Sequence, residues 1–340
     1  MNRSRQLVFV LLIAMVIASV GSHWVVSWLK IKTTAAEAFT IGKPNGKPPA
    51  FMAGSSLSGY GISWELISTQ LDVEIKTWGI AGGSPYEHEQ FQKQVPEART
   101  TFIVVSTYDL DEALICDFHA NIVPMIQTIE TLKAVHADWQ YSKCALSQYP
   151  RAWLRTFFPT LGRSRGIMGR LRESIATWIK PSSSAPAALT GPTIKFGKDT
   201  VEDEYARQKL SDWSESKVVG KLVAMRVDFQ GVHTFNGPKR LALERMLKYS
   251  DQRGRSIVIV VPVSEAYTRE FIHAEAVQEF EAALAGMQHS FPRSEWLRLD
   301  QLSGLSSDEN FCDLVHMNAF GKQIATEALQ IWLKRHIQQP

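Results

Sequence analysis

Short apolar runs that alternate with helical patterns are the feature that most constrains the fold of this 340-residue chain. Two of these runs, residues 101–107 and 256–263, are rich in β-branched residues and lack polar alternation, which is typical of strands buried on both faces. Strands of this kind, each followed by a helical pattern, favour a parallel sheet with helices on both faces. The sequence therefore predicts an α/β fold.

The predicted elements begin beyond residue 46. The predicted strands cover residues 48–54, 73–80, 101–107, 256–263 and 295–300. The predicted helices cover residues 59–70, 85–95, 122–135, 265–287 and 318–336. The stretch of about 136–237 interrupts this rhythm and is too long for one connection in a compact α/β core. We interpret it as an insertion in a domain that spans residues 47–336.

Composition excludes some classes of function. The hydrophobic fraction of 45% is ordinary for a globular protein, and a net charge of +3 without a nucleic-acid motif argues against nucleic acid as a partner. Three cysteines are an odd number and match no zinc spacing, although a bridge between Cys116 and Cys144 stays open. Asp117 and His119 form only a weak metal-binding pair. We expect neither a metal nor a cofactor.

The N-terminal segment predicts a membrane anchor. From Leu7 to Leu29 there are 23 residues without formal charge, which at about 1.5 Å per residue can cross a hydrocarbon core of roughly 30 Å. Arg3 and Arg5 precede this stretch and favour a cytoplasmic N-terminus. We therefore expect a single-pass anchor over residues 1–29 in a bacterial cytoplasmic (inner) membrane, with the main domain outside the cytoplasm, in the periplasm.

Alternatives to the anchor remain. Small residues at Ser19 and Gly21 suit a cleaved signal peptide, although the apolar stretch continues past them through Trp24 and Trp28. A buried core helix is the other alternative. Residues 30–46 are polar and predict a linker between the anchor and the domain.

A basic, aromatic segment lies inside the insertion. Residues 151–180 carry seven basic side chains against one acid, whereas the remainder of the chain sums to −3. Trp153, Leu154 and Phe157 lie among the arginines. This segment is either a solvated excursion without a special partner or a surface that contacts anionic lipid headgroups or a membrane partner.

Three serines follow the first predicted strand. Gly54 and Ser55, with Ser56 and Ser58, stand where that strand gives way to a helix. Such residues are ordinary turn formers, but a strand-to-helix turn can also expose a serine nucleophile beside backbone N–H groups. We expect Ser58 to cap the following helix.

An Asp-x-x-His pair near the C-terminus supplies the partners that a serine nucleophile needs. On a helical turn, Asp313 and His316 lie on one face. The carboxyl ends of parallel strands meet at one edge of a sheet, so the pair and the serine turn are expected to meet there. His316 would then take the proton from a serine hydroxyl, and Asp313 would orient His316.

These two stretches resemble blocks of the GDSL/SGNH hydrolase family. Residues 54–58 match its Gly-Asp-Ser-Leu-Ser block except for Ser55, so the resemblance makes Ser56 the nucleophile. Residues 313–321 are similar to its last block, with Asp313 and His316 as the partners and with the downstream Asn and Gly. The family implies a flavodoxin-like parallel sheet with helices on both faces.

Two further blocks bear on the oxyanion hole that the family implies. Besides the Ser56 backbone N–H, the second block resembles residues 78–85, in which Gly82 aligns best and Gly83 is the alternative donor. In the third block, Gly-x-Asn-Asp, Tyr108 stands where the family has its Asn donor. A tyrosine hydroxyl can donate in its place, with a different reach.

The anchor and these departures are similar to the membrane-anchored SGNH proteins of bacterial cell-envelope polymer acylation. Those include the D-alanylation protein of teichoic acid synthesis and the O-acetylation proteins of alginate and related exopolysaccharides. The resemblance implies a serine O-acetyltransferase or acetylesterase on a polysaccharide, with a membrane-bound O-acyltransferase and the lipid bilayer as partners. The alternative is a non-catalytic partner that tethers or regulates the acyltransferase.

Other polar residues have ordinary interpretations. His88 is expected on the solvated side of a helix. Asp228 and His233 either line the cleft or make loop hydrogen bonds. Arg240 and Glu244 form a helical i, i+4 pair that stabilises a helix by a few tenths of a kcal/mol.

Overall fold

A computed structural model describes residues 3–28, 38–78, 83–113, 125–158, 160, 204–227, 229 and 233–336. The described strands are β1 Ala38–Ile41, β2 Ala50–Ala53, β3 Ile75–Trp78, β4 Thr100–Val105, β5 Arg255–Val260 and β6 Glu295–Arg298. The described α-helices are α1 Arg3–Trp28, α2 Ser56–Gly61, α3 Trp64–Leu71, α4 Pro85–Gln92, α5 Thr107–Leu110, α6 Met125–Ala134, α7 Trp139–Phe157, α8 Glu204–Arg207, α9 Glu215–Arg226, α10 Pro238–Asp251, α11 Glu265–Phe271, α12 Ala274–Ser290 and α13 Ala319–His336.

The strands form one mostly parallel sheet in the order β1-β3-β2-β4-β5-β6. Every neighbouring pair is parallel except β1 with β3. Without β1, the order is compatible with a flavodoxin-like fold, in which the chain reverses its winding between β2 and β4. The predicted α/β fold with a helix-covered parallel sheet is confirmed, and the reversal places the ends of β2 and β4 at the usual position of a site.

The edge strand β1 was not predicted. It lies within residues 30–46, which the sequence indicated as a linker, and it pairs antiparallel with β3 from Ala38 opposite Trp78 to Ile41 opposite Ile75. The Ile41 side chain is buried in the core. A run of only four residues carries too little periodicity to predict a strand, so the pairing with β3 decides its structure.

Two predicted helices are each broken into two. The helix predicted at 59–70 is α2 and α3, because the Ser63 backbone N–H donates to Thr326 Oγ1 (2.9 Å) from another helix. The helix predicted at 265–287 is α11 and α12, and the break falls at Ile272, whose side chain is buried. In both cases a contact with a distant part of the chain overrides local helix propensity.

The polar helix α4 is buried along its whole length. Helix α10 covers one side of it, and Arg245 forms an ion pair with Glu89 (2.7 Å) while Gln92 donates to Ser250 Oγ (2.6 Å). Helix α6 covers another side, where Gln90 donates to Thr131 (2.5 Å). His88, predicted to be solvated, is only 4% exposed. That prediction is wrong because α6 and α10, which flank the insertion in sequence, cover α4.

Helix α6, which precedes the insertion, and α7, the first described helix within it, form a small second core. It consists of Tyr86, Leu132, Val135, Ala145 and Ala242, so α6 and α7 pack against α4 and α10. Helices α8 and α9 are the other described α-helices of residues 136–237. Most of the basic segment 151–180 lies outside the described residues, as do Cys116, Asp117, His119 and Asp228.

Helix α1 coincides with the predicted anchor. Its exposed large apolar side chains are Phe9, Val10, Leu11, Leu12, Ile13, Met15, Val16, Ile17, Val20, Trp24 and Trp28. A search of the described residues finds no helix with the length and hydropathy that crossing a membrane requires. The membrane anchor stays a prediction.

Candidate functional site

The turn after β2 holds Ser56 at the first position of α2. Ser55 is the N-cap of this helix, and its Oγ accepts from the Leu57 backbone N–H (3.3 Å). Ser58, predicted to cap the next helix, instead donates its hydroxyl to the Ser55 carbonyl (2.7 Å). That prediction is wrong, since the helix begins earlier than expected. Ser55 and Ser58 together hold the turn that presents Ser56.

Gly54 is required by the tightness of this turn. A Cβ at this position would lie 2.6 Å from Ser58 Cβ and 3.1 Å from Val104 Cβ. Such contacts are far inside van der Waals distance, so any larger residue would displace either α2 or β4. The glycine therefore lets the serine turn approach the sheet.

Asp313 and His316 lie in a tight loop that comes before α13. The loop is closed by a bridge between Phe311 and Met317, and the Cys312 backbone N–H donates to the His316 carbonyl (2.9 Å). The predicted helical turn is therefore a loop turn, in which Asp313 Oδ1 accepts from the His316 backbone N–H (2.8 Å). This Asx-type turn brings the two side chains to the same side of the loop.

Ser56, His316 and Asp313 form a connected chain of hydrogen bonds. Asp313 Oδ2 lies 2.9 Å from His316 Nδ1, and Ser56 Oγ lies 2.8 Å from His316 Nε2. A carboxylate only accepts, so Nδ1 carries the proton and Nε2 is the acceptor for the Ser56 hydroxyl. The structure thus brings these three side chains together, although Ser56 and His316 are 260 residues apart in the sequence.

The environment of Asp313 keeps it ionised. Burial alone would raise the pKa of Asp313, but the hydrogen bond and charge of His316 and the backbone N–H groups of His316 and Val315 hold it well below its usual range. The ionised carboxylate accepts from Nδ1 and stabilises a protonated imidazole. His316 therefore has the tautomer and the orientation that a general base needs.

Asn318 and Gly321 fix the loop to the start of α13. Asn318 Oδ1 accepts from the Gly321 backbone N–H (3.1 Å), and Asn318 Nδ2 donates to the Glu309 carbonyl (2.7 Å). A Cβ at Gly321 would lie 2.4 Å from the Asn310 carbonyl oxygen. The downstream Asn and Gly of the motif thus clamp the loop that carries His316.

Tyr60 is a site residue that sequence reasoning missed. Its ring lies 4.8 Å from the His316 ring, centroid to centroid, and Tyr60 is buried. The position is one turn after Ser56 on α2, so the nucleophile and the ring that supports its base come from the same helix. Nothing in the local sequence distinguishes Tyr60 from an ordinary core tyrosine.

Asp109 supports the serine turn from the end of β4 and was also missed. Its carboxylate accepts from the Ser106 hydroxyl (2.9 Å) and hydrogen-bonds with the Ser55 side chain. A small cavity behind the turn is lined in part by Ser55, Gly83, His88 and Asp109. Residues of the first three sequence blocks, Ser55, Gly83 and Asp109, therefore meet behind Ser56.

The raised pKa of Asp109 predicts a pH-dependent stability. Burial, opposed by hydrogen bonds from Ser55 and Ser106, raises its pKa from 3.8 to about 6. The neutral Asp109 carboxyl therefore makes its full contribution to folding stability below about pH 4, and this contribution is lost as the pH rises through about 6. Asn resembles the neutral acid, so we expect Asp109→Asn to be more stable than wild type at pH 8 by about 2–3 kcal/mol, at about 1.4 kcal/mol per pKa unit.

Urea unfolding at pH 4 and pH 8 measures this difference. The two proteins are expected to have similar stability at pH 4 and to diverge at pH 8. Asp212→Asn, at an exposed aspartate, is the matched control and should show no such divergence. A stability difference for Asp109→Asn that is equal at the two pH values would contradict the assignment.

The remaining oxyanion candidates have different outcomes. Gly82 lies outside the described residues, whereas Gly83 is buried beside the serine turn. Tyr108 is half-buried on α5, and its ring meets the Tyr267 ring edge-on at 6.0 Å. The oxyanion roles of Ser56, Gly83 and Tyr108 stay predictions.

Comparison with known proteins adds no family to this geometry. No protein-family model matches the chain, and no curated protein matches it. In the part of the chain that the structure describes, no group of three or more His, Cys, Asp or Glu residues could hold a metal ion. The groups in the described site that can carry out chemistry are Ser56, His316 and Asp313.

Proposed function

We propose that this protein is an SGNH-type serine acyltransferase or esterase that works through a Ser56 acyl-enzyme. The observation that carries the proposal is the hydrogen-bonded chain from Ser56 Oγ through the His316 ring to Asp313. The flavodoxin-like strand order supports it, because the serine turn lies at the reversal of the sheet. An imidazole held between a carboxylate and a serine hydroxyl is the arrangement that activates a nucleophile.

The proposed reaction has two steps. In the first, His316 Nε2 takes the Ser56 proton as Oγ bonds to the acyl carbon, and the donor's leaving group departs with that proton. In the second, an acceptor hydroxyl gives its proton to Nε2 and bonds to the acyl carbon, and Ser56 Oγ leaves and regains the proton. Water as the acceptor makes an esterase, whereas a sugar hydroxyl makes a transferase.

Tyr108→Phe tests whether the Tyr108 hydroxyl replaces the Asn donor that the family has at this position. If the Tyr108 hydroxyl donates to the oxyanion, its removal is expected to lower kcat for an acetyl ester by about 10²-fold, as the loss of one such donor does. The measurement is initial-rate kinetics with a chromogenic acetyl ester, with thermal unfolding as the check on folding. An unchanged kcat would leave the oxyanion to the Ser56 and Gly82 or Gly83 backbone N–H groups.

The substrate and location follow from the resemblance and the N-terminal sequence. We assign the acyl group as acetyl, the acceptor as a cell-envelope polysaccharide and the donor system as a membrane-bound O-acyltransferase. The charge-free stretch Leu7–Leu29 after two arginines supports a single-pass anchor in the cytoplasmic membrane of a bacterium, with the domain in the periplasm. A reporter fused after residue 45 that is active only in the cytoplasm would contradict this orientation.

Trapping the acyl-enzyme tests the proposed function directly. The full chain is incubated with 4-nitrophenyl acetate, quenched in acid and digested. The mass of the peptide that contains Ser56 is then measured by mass spectrometry. An acetyl group on Ser56, together with release of nitrophenolate, is the expected result. Absence of both in a folded protein would overturn the enzyme proposal.

A non-catalytic partner is the second candidate function. The observation that favours it is Tyr108 at the position where the family has its Asn donor. Such a protein would tether or regulate the acyltransferase without forming an acyl-enzyme. It is distinguished by polymer modification in cells that persists when Ser56 is changed to Ala.

A further inference from the structure

A second carboxylate–imidazole pair lies at the same edge of the sheet as Ser56. Asp111 follows α5 at the carboxyl end of β4, is fully buried, and accepts from His233 Nδ1. The Asp111 Oδ1 atom also accepts from the Ala113 backbone N–H (2.9 Å), which fixes the carboxylate. As with His316, a proton held on Nδ1 leaves Nε2 of His233 as a hydrogen-bond acceptor.

The surroundings of His233 leave one edge of its ring open. The ring meets the Phe229 ring edge-on at 4.9 Å, and the Phe271 ring lies at 6.3 Å. The side chain keeps 18% of its surface exposed. Asp111 contacts Nδ1, at the opposite end of the ring from Nε2. Within the described residues, Nε2 has no hydrogen-bond partner.

A buried hydroxyl without a partner lies between this pair and the serine turn. The Tyr267 ring is 6.0 Å from the Tyr108 ring and 6.5 Å from the Phe229 ring, and its hydroxyl makes no hydrogen bond to a described residue. Burial, with the charges of Asp111 and Asp109 and the nearby Tyr108, raises the pKa of Tyr267. The hydroxyl therefore stays protonated and keeps its hydrogen as a donor beside this pair.

Contacts connect this cluster to the proposed catalytic loop. Tyr267 follows the N-cap Ser264 by three residues, and the Ser264 backbone N–H donates to the Leu314 carbonyl (3.2 Å), between Asp313 and His316. Asp111 is two residues from Asp109, which holds Ser55. The loops that carry the partners of His233 and His316 therefore meet at the carboxyl ends of β4 and β5.

We propose that His233, oriented by Asp111 and flanked by Phe229, is an acceptor subsite that binds a hydroxyl of a carbohydrate, an inference that rests on the acyl-transfer function proposed above. Nε2 accepts the hydrogen of a sugar hydroxyl, and the half-buried Phe229 provides an apolar surface for the C–H face of the sugar ring. The subsite places the acceptor and does not replace His316, which takes the proton of the attacking hydroxyl.

A purely structural role is the competing explanation for the pair. Two further hydrogen bonds join the neighbouring loops: the Glu112 backbone N–H donates to the Thr234 carbonyl (2.9 Å), and the Lys239 side-chain Nζ donates to the Asp111 carbonyl (2.6 Å). His233→Asn separates the two roles, because the Asn side-chain N–H can still donate to Asp111 in the place of Nδ1. The variant keeps the hydrogen bond to Asp111 and lacks Nε2 together with the outer part of the ring, so thermal unfolding measures the cost of the lost packing separately.

The experiment measures how the acetyl group divides between a sugar and water. The full chain is given 4-nitrophenyl acetate with methyl α-D-mannopyranoside, and acetylated sugar and acetate are quantified. We expect wild type to acetylate the sugar. We expect His233→Asn to lower the ratio of acetylated sugar to acetate by about tenfold, which corresponds to about 1.4 kcal/mol, the upper part of the range for one lost hydrogen bond. His289→Asn, at an exposed histidine, is the control and leaves the ratio unchanged.

Each outcome decides one question. A lower thermal stability or total turnover with an unchanged ratio would assign His233 a structural role and overturn the inference. Release of nitrophenolate by wild type with no acetylated sugar would overturn the inference and leave the proposed serine chemistry intact. Absence of nitrophenolate release would instead overturn the proposed function on which the inference rests.

Discussion

Ser56→Ala is expected to lower the turnover of an acetyl ester by about 10⁵-fold or more while the protein stays folded. The Ser56 hydroxyl is the group that bonds to the acyl carbon, and its only replacement in the variant is water activated by His316. Among the described residues, the hydroxyl hydrogen-bonds to His316 Nε2 alone, so its loss is expected to cost about 1 kcal/mol of stability. Nitrophenolate release and thermal unfolding measure the two effects.

Ser58→Ala is the matched control for this change. Ser58 lies on the same helix, is fully buried, and donates its hydroxyl to the Ser55 carbonyl. We expect its removal to cost about 1 kcal/mol of stability and to leave turnover within about tenfold of wild type. His316→Ala is expected to be as damaging as Ser56→Ala, because the base and the nucleophile act as a unit.

The result that contradicts the assignment is specific. If Ser56→Ala keeps wild-type turnover of the ester, Ser56 is not the nucleophile. If it keeps full polymer modification in the cell, the tethering role replaces the enzyme role. Equal losses in Ser56→Ala and Ser58→Ala would indicate damage to the turn rather than loss of chemistry.

Much of the sheet could be predicted because its central strands are apolar on both faces. β4 and β5 lie in the middle of the sheet, and their sequences leave no alternative to burial. β1 could not be predicted, since four residues at an edge depend on β3 for their structure. The burial of α4 could not be predicted either, because Arg245 and Thr131, which satisfy its polar side chains, are remote in sequence.

The site divides in the same way. Ser56, Asp313 and His316 could be predicted because each stands in a short pattern whose chemistry is recognisable. The roles of Tyr60, of Asp109 behind the serine turn and of Asp111 beside His233 depend on which segments the fold brings together. Asp109 stands in the third block and His233 was a candidate cleft residue, but the sequence did not indicate their partners. Ser55, which replaces the Asp of the familiar motif, has a visible role only once Asp109 is seen beside it.

Asp313→Asn is expected to lower kcat by about 10³- to 10⁴-fold and to lower stability at neutral pH, because the neutral amide loses the interactions that hold the Asp313 carboxylate ionised. The Asn Oδ1 can still accept from the Val315 and His316 backbone N–H groups (2.9 and 2.8 Å), so the loop turn is kept. Its neutral amide, however, can donate to Nδ1, which favours the tautomer with the proton on Nε2. His316 then cannot accept the Ser56 proton.

Asp313→Ala and the pH dependence of unfolding complete the test of Asp313. Asp313→Ala leaves two backbone N–H groups without their acceptor, so it is expected to lose about 2 kcal/mol of stability beyond Asp313→Asn, with a similar or greater loss of kcat.

The ionised Asp313 carboxylate also makes stability depend on pH. Burial would raise the pKa of Asp313, but His316 and the backbone N–H groups hold this pKa below its value in the unfolded chain. The carboxylate therefore stabilises the fold above about pH 4, and this stabilisation is lost as the pH falls through the pKa of the folded protein. Wild type should therefore lose stability in acid more steeply than Asp313→Asn. Turnover of Asp313→Asn within tenfold of wild type would show that the carboxylate does not orient His316.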